Sequence, residues 1–525
     1  MRRRERIVTR RWPDDETHRA LICTARDDIV AEREIRDDAA PDRRIHEQVH
    51  GPFASYRRDV RADEGRLVET TVYRTLIPWF GWLFAWPIRA TLARRIRYPG
   101  WWAPPDRVDA TQIRVIGLLA AASMSAAFIN TLFTQTAEFA ADDFGVGESG
   151  IGFAGAAVRA GIVIALPAAV IADRVGRRRV LVATAWLAPT ISLLGALAPS
   201  FWALVASQAI GRPMGIALAF VIGVVAAEEM PRNSRAYAVS VLAMAAGLGA
   251  GIAVMSLRLT DIGSGGWRYV YLVSAIWLIV AFEVTRRLPE TRRFAAESRR
   301  PTHTRRFDRR RFALLAGVAF TANVFIAPAS FFQNSYLSDV RDFSGGQIGL
   351  FSIIVGTPAG IGLIIGARIA ERSGRRRLIS IGLPLSVIAV LVAFSVAGPL
   401  LWISSFLAAV LGSAVYPAMQ VYRTELFPTA NRTRASGYIV AAALVGGIGG
   451  LIATGQLIDA GWSYTSVMST MAIGQLLAVI LIVVGYPETA HRELEELNPE
   501  DRDLDLSALR RSSPDRSTPS ASVDD

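Results

Sequence analysis

The chain has 525 residues, 51% of them hydrophobic, and its mean hydropathy is +0.31 although 20% of its residues are charged, so the apolar residues are gathered into blocks and an ordinary soluble enzyme is excluded. All 58 basic residues are arginine, which removes the lysine-dependent phosphate loop and Schiff-base chemistry, and the single Cys23 removes intrachain disulfides and thiolate metal clusters. The net charge of +12 fits nucleic acid or membrane topology, and the placement of the arginines decides between them.

Residues 1–110 carry 22 Arg against 18 Asp+Glu and are expected to form a mixed-charge cytoplasmic extension. The apolar run at 20–25 is far too short for a signal peptide. His46-Glu47-Gln48-Val49-His50 matches the helical zinc-protease spacing, in which two His ligands and a Glu base share one face. A catalytic zinc also needs a third ligand, here Glu64 or Glu69, and a dry cleft that so charge-dense a region does not promise. A membrane-tethered zinc metallohydrolase is therefore the competing class, and a coincidental spacing is preferred. Leu76 to Ile88 is a run of 13 apolar residues, rich in Trp, interrupted by Pro78 and Pro87 and followed by Arg89, Arg94, Arg95 and Arg97. It is shorter than the roughly 20 residues a span needs, so 76–88 is expected to lie in the membrane interface or to fold as an aromatic plug against the main body.

From residue 111 apolar stretches of spanning length alternate with short polar links. Twelve spans are expected, near 112–137, 149–172, 179–198, 201–227, 236–257, 267–285, 312–337, 347–370, 378–397, 400–422, 434–457 and 464–486. The even-numbered links hold Arg174, Arg177, Arg178, Arg179, Arg232, Arg235, the basic stretch 286–311, Arg368, Arg372, Arg375, Arg376, Arg377, Arg423, Arg432 and Arg434, whereas the odd-numbered links hold only Arg258, Arg268 and Arg341. A positive-inside bias of this kind places both termini in the cytoplasm of a multi-pass plasma-membrane protein and accounts for the charge without nucleic acid. Residues 488–525, rich in Asp, Arg, Ser and Pro, are expected to be a disordered tail.

A shift of 198 residues lays Asp173-Arg174-Val175-Gly176-Arg177-Arg178-Arg179 on Glu371-Arg372-Ser373-Gly374-Arg375-Arg376-Arg377. It also lays Asp261 on Asp459, Gly249 and Gly251 on Gly447 and Gly449, and Pro289-Glu290-Thr291 on Pro487-Glu488-Thr489. The chain is thus two six-helix halves, 111–286 and 312–487, joined by a basic linker, 287–311. With its acidic-Arg-x-Gly-Arg-Arg-Arg loop after spans two and eight, Gly266-Trp267-Arg268 before span six, and the loops at Glu229-Met230-Pro231 and Glu425-Leu426-Phe427-Pro428, the chain resembles the major facilitator superfamily. Its motifs are nearest to the sugar-porter and metabolite-symporter branches. It departs from the family pattern in Ala169 and Ala367, where a Gly is usual, in a fifth span without the proline motif of drug antiporters, and in Phe331-Phe332-Gln333-Asn334 on span seven.

The resemblance implies an all-α fold of two pseudo-symmetric six-helix bundles around a central cavity. The function it implies is secondary active transport by alternating access. A drug or metabolite exporter of the same fold is the alternative. Asp173 and Glu371, with Arg174, Gly176, Arg177, Arg178, Arg372, Gly374, Arg375 and Arg376, are expected to form a conformational latch. Arg159 and Arg212 lie about 10 residues into spans two and four, roughly 15 Å deep, where a charge faces a cavity or a partner. They are the candidates for an anionic substrate, alongside the polar Asn130, Gln135, Gln208, Asn323, Gln333, Asn334, Tyr416 and Gln420. All five histidines fall outside the spans, so carboxylates are the candidates for proton coupling, with Glu138 the one in the pathway half of a span. The expected partners are a small-molecule substrate, the bilayer and protons, with no cofactor, no metal, no nucleic acid and a monomeric state.

Overall fold

In the computed structural model the described residues are 5–35, 43–77, 80–94, 103–104, 106–165, 167, 171–172, 175–231, 234–289, 309–426 and 432–488. Asp173, Arg174, most of the basic linker and the tail lie outside them, as do the side chains of Glu371, Arg372 and Gln420.

Ahead of the spans stands a five-stranded antiparallel sheet of β1 (Arg6–Pro13), β2 (Ala31–Ile35), β3 (Arg43–His50), β4 (Phe53–Asp63) and β5 (Arg66–Thr75), in the order β1-β5-β4-β3-β2. Successive side chains of a strand point to opposite faces. Tyr56, Arg58 and Val60 of β4 and Leu67, Glu69, Thr71 and Tyr73 of β5 therefore share one face, and all are buried. Two helices cover that face: α1 (Glu16–Ile22) packs Ile22 on Val60 and Leu67, and α2 (Ala85–Arg94) packs Ile88 and Leu92 with Val8, Phe53 and Tyr73. Arg58 is completely buried, 2.6 Å from Glu32 and 3.5 Å from Glu69, and donates to the Ile22 carbonyl. Burial opposes ionisation of Glu32, but hydrogen bonds from Arg58 and Tyr56 outweigh it and hold the carboxyl below its ordinary 4.5.

The expected mixed-charge extension is folded: its apolar residues are few, but the period-two alternation puts them on one face, and the charges that share it are paired. The helical two-His arrangement that the zinc-hydrolase alternative needs is not formed, because His46 and His50 lie on β3 rather than on a helix. At about 3.3 Å per residue they stand roughly 13 Å apart along the strand, too far to ligate one ion. The run 76–88 is divided, with Ile77, Phe84 and Ile88 turned to the sheet core, Phe80 packed on the main core of the spans, and Trp82, Leu83 and Trp86 exposed.

The sheet is fastened to the spans. Arg107 donates to Asp27 Oδ1 (2.6 Å) and to the Asp28 carbonyl (3.0 Å), the Asp106 N–H donates to Ser234 Oγ, and Val108 is buried in the main core. Among the described residues twelve helices are long and apolar enough to cross a membrane: Ala110–Phe144, Glu148–Ala165, Arg177–Leu197, Phe201–Ala226, Tyr237–Ile262, Ser264–Arg287, Arg309–Phe331, Gly345–Leu363, Arg375–Ala393, Pro399–Tyr416, Tyr438–Asp459 and Tyr464–Gly485. Their starts carry the residues that satisfy orphan N–H groups, with capping boxes Asp109/Gln112 and Ser344/Gln347 and the single caps Ser200 and Ser463. Span one packs against spans four and five, and span seven against spans eleven and twelve, so each half closes around its own first helix.

Candidate functional site

At the arginine-loop end the repeated motifs do the same work in each half. Gly176 (φ 112°) and Gly374 (φ 93°) make the turn between two spans in a backbone conformation that favours glycine. Arg178 then donates to the Leu288 (2.6 Å) and Thr285 (2.8 Å) carbonyls at the end of span six. Its repeat mate Arg376 donates to the carbonyl of Val483, the repeat mate of Thr285, at the end of span twelve. Glu488 accepts from the backbone N–H groups of Arg375 (3.0 Å) and Arg376 (3.1 Å), capping span nine. In the first half the partly buried Arg177 pairs with Glu228 at 3.0 Å.

Midway along the spans the chain opens a polar spot. Pro213 in span four has no N–H to give the carbonyl of Ala209, and Gly161 of span two leaves room there, since a Cβ would stand 2.3 Å from that oxygen. Beside this interruption sits Arg212, whose side chain has no hydrogen-bond or ion-pair partner among the described residues and whose Nε is buried. Arg159 stands two residues before Gly161 on span two, so both arginines flank the same close contact of spans two and four. It crosses between the halves, donating from Nη2 to Asn323 Oδ1 of span seven at 2.7 Å. Gly447 of span eleven makes this possible, because a Cβ there would lie 2.5 Å from Arg159 Nε. Asn130 lies against Gly215, one turn beyond Arg212, with its Oδ1 buried and unbonded.

Four of the sequence candidates thus fall near one another: Arg159, Arg212, Asn130 and Asn323. Gln208 does not open on a cavity; it is fully buried, donates to Ser207 Oγ and touches Gly195 of span three. Tyr416 is 57% exposed on span ten, and Gln333 is half-buried without a side-chain hydrogen bond among the described residues.

At the end opposite the arginine loops the halves are joined, and the symmetry of the joints explains marks that the repeat left bare. Asp459, at the end of span eleven, accepts from the N–H groups of Glu148 (3.1 Å) and Ser149 (3.0 Å) that start span two. Asp261, its repeat mate at the end of span five, accepts from the Gly346 N–H at the start of span eight (3.0 Å). Each half therefore caps a helix of the other with an aspartate. Asn334 of the second half donates to both the carbonyl and the Oε1 of Gln135 in the first, each at 3.1 Å.

Next to these joints Glu138, Glu148 and Asp339 bring one carboxylate oxygen each within 4.8 Å of one another. Among the described residues none of the three forms an ion pair, and Glu138 Oε2 and Glu148 Oε2 are buried without a hydrogen bond. Tyr464 Oη lies 2.8 Å from Asp339 Oδ2 and 3.2 Å from Glu148 Oε1. A phenol has one hydrogen to give, so Tyr464 either shares it between the two carboxyl groups or accepts a hydrogen from one of them. Sequence reasoning reached Glu138 alone. Glu148 and Asp339 lie at helix edges and come to Glu138 through the packing of spans one, two and seven; three acids on three apolar segments near the same membrane face were the available signal.

Twelve spans in two repeat-related halves, with cross-capped helices at one end and matched arginine turns at the other, define a two-domain helical membrane transporter. The Major Facilitator Superfamily model matches residues 118–351 and 312–514, and the chain belongs to that family. No curated protein matches in sequence. Among solved structures, the inward-open xylose transporter XylE from E. coli is similar over 74% of this chain and 99% of its own, at 18% identity and a TM-score of 0.63. The nucleoside transporter NupG (71% and 100%, 12% identity, TM-score 0.58) and a bacterial homologue of the human lysosomal transporter Spinster (71% and 95%, 19% identity, TM-score 0.53) share the fold. The sheet at the N-terminus precedes the residues matched by the family model.

Proposed function

We propose that the protein moves a small organic anion across the plasma membrane by alternating access, with both termini cytoplasmic and with protons carried by the carboxyl groups at its outer end. The observation that supports it most is Arg212, a guanidinium without a partner among the described residues, near a second arginine on the span packed against it. A charge at that depth is costly unless a ligand or counter-charge answers it. Two like charges placed together are costlier still, and a carboxylate or phosphate between them relieves both. Asn130 and Asn323 supply the amide groups that would orient it. The joined end, taken as the outer face, makes this the inward-facing state, with the site reached from the side of the arginine loops.

The acid cluster supplies the coupling. Two ionised carboxylates no more than 4.8 Å apart repel by at least about 3.5 kcal/mol at an effective dielectric of about 20. A proton shared among Glu138, Glu148 and Asp339 therefore favours the joined outer end, and its loss favours separation.

The test is ligand-induced stabilisation of the purified protein against panels of organic acids, sugars and drugs, followed by Arg212→Gln. Removing one partner of a buried, hydrogen-bonded charge pair costs about 2–5 kcal/mol of binding, so the mutant should lose affinity for the acid while melting normally without ligand. A neutral best ligand whose affinity survives Arg212→Gln would refute the anion reading. It would move weight to Gln333, Asn334 and Gln420 and to an uncharged substrate, as in the xylose and nucleoside transporters that share the fold.

A further inference from the structure

The sheet region presents a feature that packing among the described residues does not use. Trp82 and Trp86 are each 74% exposed and Leu83 is 54% exposed, in the turn that leads into α2 and in its first turn. The other face of α2 is fully committed: Ile88, Thr91 and Leu92 are buried on the sheet, and Arg26 donates to the carbonyls of Thr91 and Leu92. The helix cannot roll its tryptophans inward without breaking both. Elsewhere in the region, exposed large apolar residues such as Ile7 and Val49 on the sheet and Leu21 on α1 stand singly. Beside the patch, Arg89 and Arg94 are exposed, and among the described residues neither forms an ion pair.

The position of the patch says what covers it. Arg107 ties the sheet to the start of the first span, and the neighbouring segment is bonded to the start of span five through Ser234 and to the end of span four through the Glu229 carbonyl. The sheet therefore stands at the arginine-loop face of the first half, where the chain enters the bilayer. Indole rings, amphipathic and flat, concentrate at the headgroup level of membranes, and arginines bind lipid phosphates there.

We propose that Trp82, Leu83 and Trp86 insert into the headgroup layer of an anionic leaflet, with Arg89 and Arg94 on its phosphates, so that the sheet is docked on the bilayer beside the transporter's inner mouth. The patch is thus a lipid-binding surface. It is built by α2 and the turn before it and is separate from the substrate path.

The full-length protein with Cys23→Ser, its only cysteine removed, is spin-labelled at Leu83→Cys, which leaves both tryptophans in place, and separately at Trp86→Cys. Val49→Cys and Ile7→Cys serve as sheet controls. Each is reconstituted in phosphatidylcholine vesicles with or without 30% (about one lipid in three) phosphatidylglycerol, and relaxation by oxygen is compared with relaxation by a water-soluble nickel chelate. Insertion predicts oxygen access well above nickel access at 83 and 86, the reverse at 49 and 7, and shallower labels when the anionic lipid is omitted or Arg89 and Arg94 are both changed to Gln. Nickel access at 83 equal to that at 49 would overturn the proposal. Protection from both reagents would overturn it in favour of a protein cover, and a depth indifferent to lipid charge and to the arginines would overturn the anionic-leaflet assignment.

Discussion

If Asp261 and Asp459 hold the joined end of the bundle together, neutralising them should release it by a calculable amount. Asp459 accepts two N–H groups at the start of span two, and Asp261 accepts one at the start of span eight. An anion at a helix N-terminus contributes about 0.3–1 kcal/mol when exposed and up to about 2 kcal/mol in partly buried geometry. Taking about 1–2 kcal/mol for each aspartate, the double replacement should shift the ratio of joined to separated states by about 2–4 kcal/mol, or roughly 30- to 1,000-fold at about 1.4 kcal/mol per decade. Asp→Asn keeps an acceptor oxygen and should deliver the charge part alone, whereas Asp→Ala should deliver all of it. The two single mutants should shift the ratio in the same direction, because the repeat places them in equivalent joints. The measurement is a distance distribution between spin labels at Leu197→Cys and Leu400→Cys, exposed positions on opposite halves at that end, in a Cys23→Ser background. A longer-distance population should grow from wild type through the singles to the double. An unchanged distribution in the double alanine mutant, with the protein folded, would show that side-chain packing alone holds the end shut.

Gly447→Ala should push Arg159 off Asn323, since a Cβ would meet its Nε at 2.5 Å; ligand affinity should fall several-fold with little loss of stability, and that loss should vanish in an Arg159→Gln background, as a double-mutant cycle of binding would show. Glu488→Gln should lower the melting temperature in detergent through about 0.5–2 kcal/mol of lost capping at span nine, without changing ligand selectivity. Arg58→Ala should cost the sheet about 3–5 kcal/mol, because Glu32 and Glu69 would keep buried charge without an answer, and protease resistance of 1–94 should drop while membrane insertion persists. Glu32 ionises below its ordinary 4.5 in the folded state, so its pairing stabilises the sheet fully above that pH and is lost as the pH falls through the lowered value. Protease resistance followed from pH 6 down to about pH 3 should show that loss in wild type and a flatter profile in Glu32→Gln.

The spans were legible in the sequence because hydropathy is local and the bilayer sets the length: the twelve expected segments and the twelve helices coincide within a few residues at most ends. Repetition was legible for a related reason, as Arg178 and Arg376 recur at a fixed offset and meet equivalent carbonyls. The sheet was not. Its core rests on a few residues in alternation and on the pair Arg58–Glu32, which composition registers only as charge, and the HEQVH spacing suits a helix as well as the strand it forms. Nor could the partners of Arg159 be read, since Asn323 and Gly447 lie in other spans, far along the chain.

The chain's own pattern therefore determined how many times it crosses the membrane and where most crossings lie, because hydropathy is a local property, and that the halves repeat, because short local motifs recur at one offset. Only the tertiary structure decided that Asp261 and Asp459 cap helices of the opposite half, that Glu148 and Asp339 come within 4.8 Å of Glu138, and that Arg212 is left without a partner among the described residues. Those facts depend on which faces of distant helices meet, and in a lipid-embedded bundle most helix faces are apolar, so hydropathy carries little information about which face turns inward.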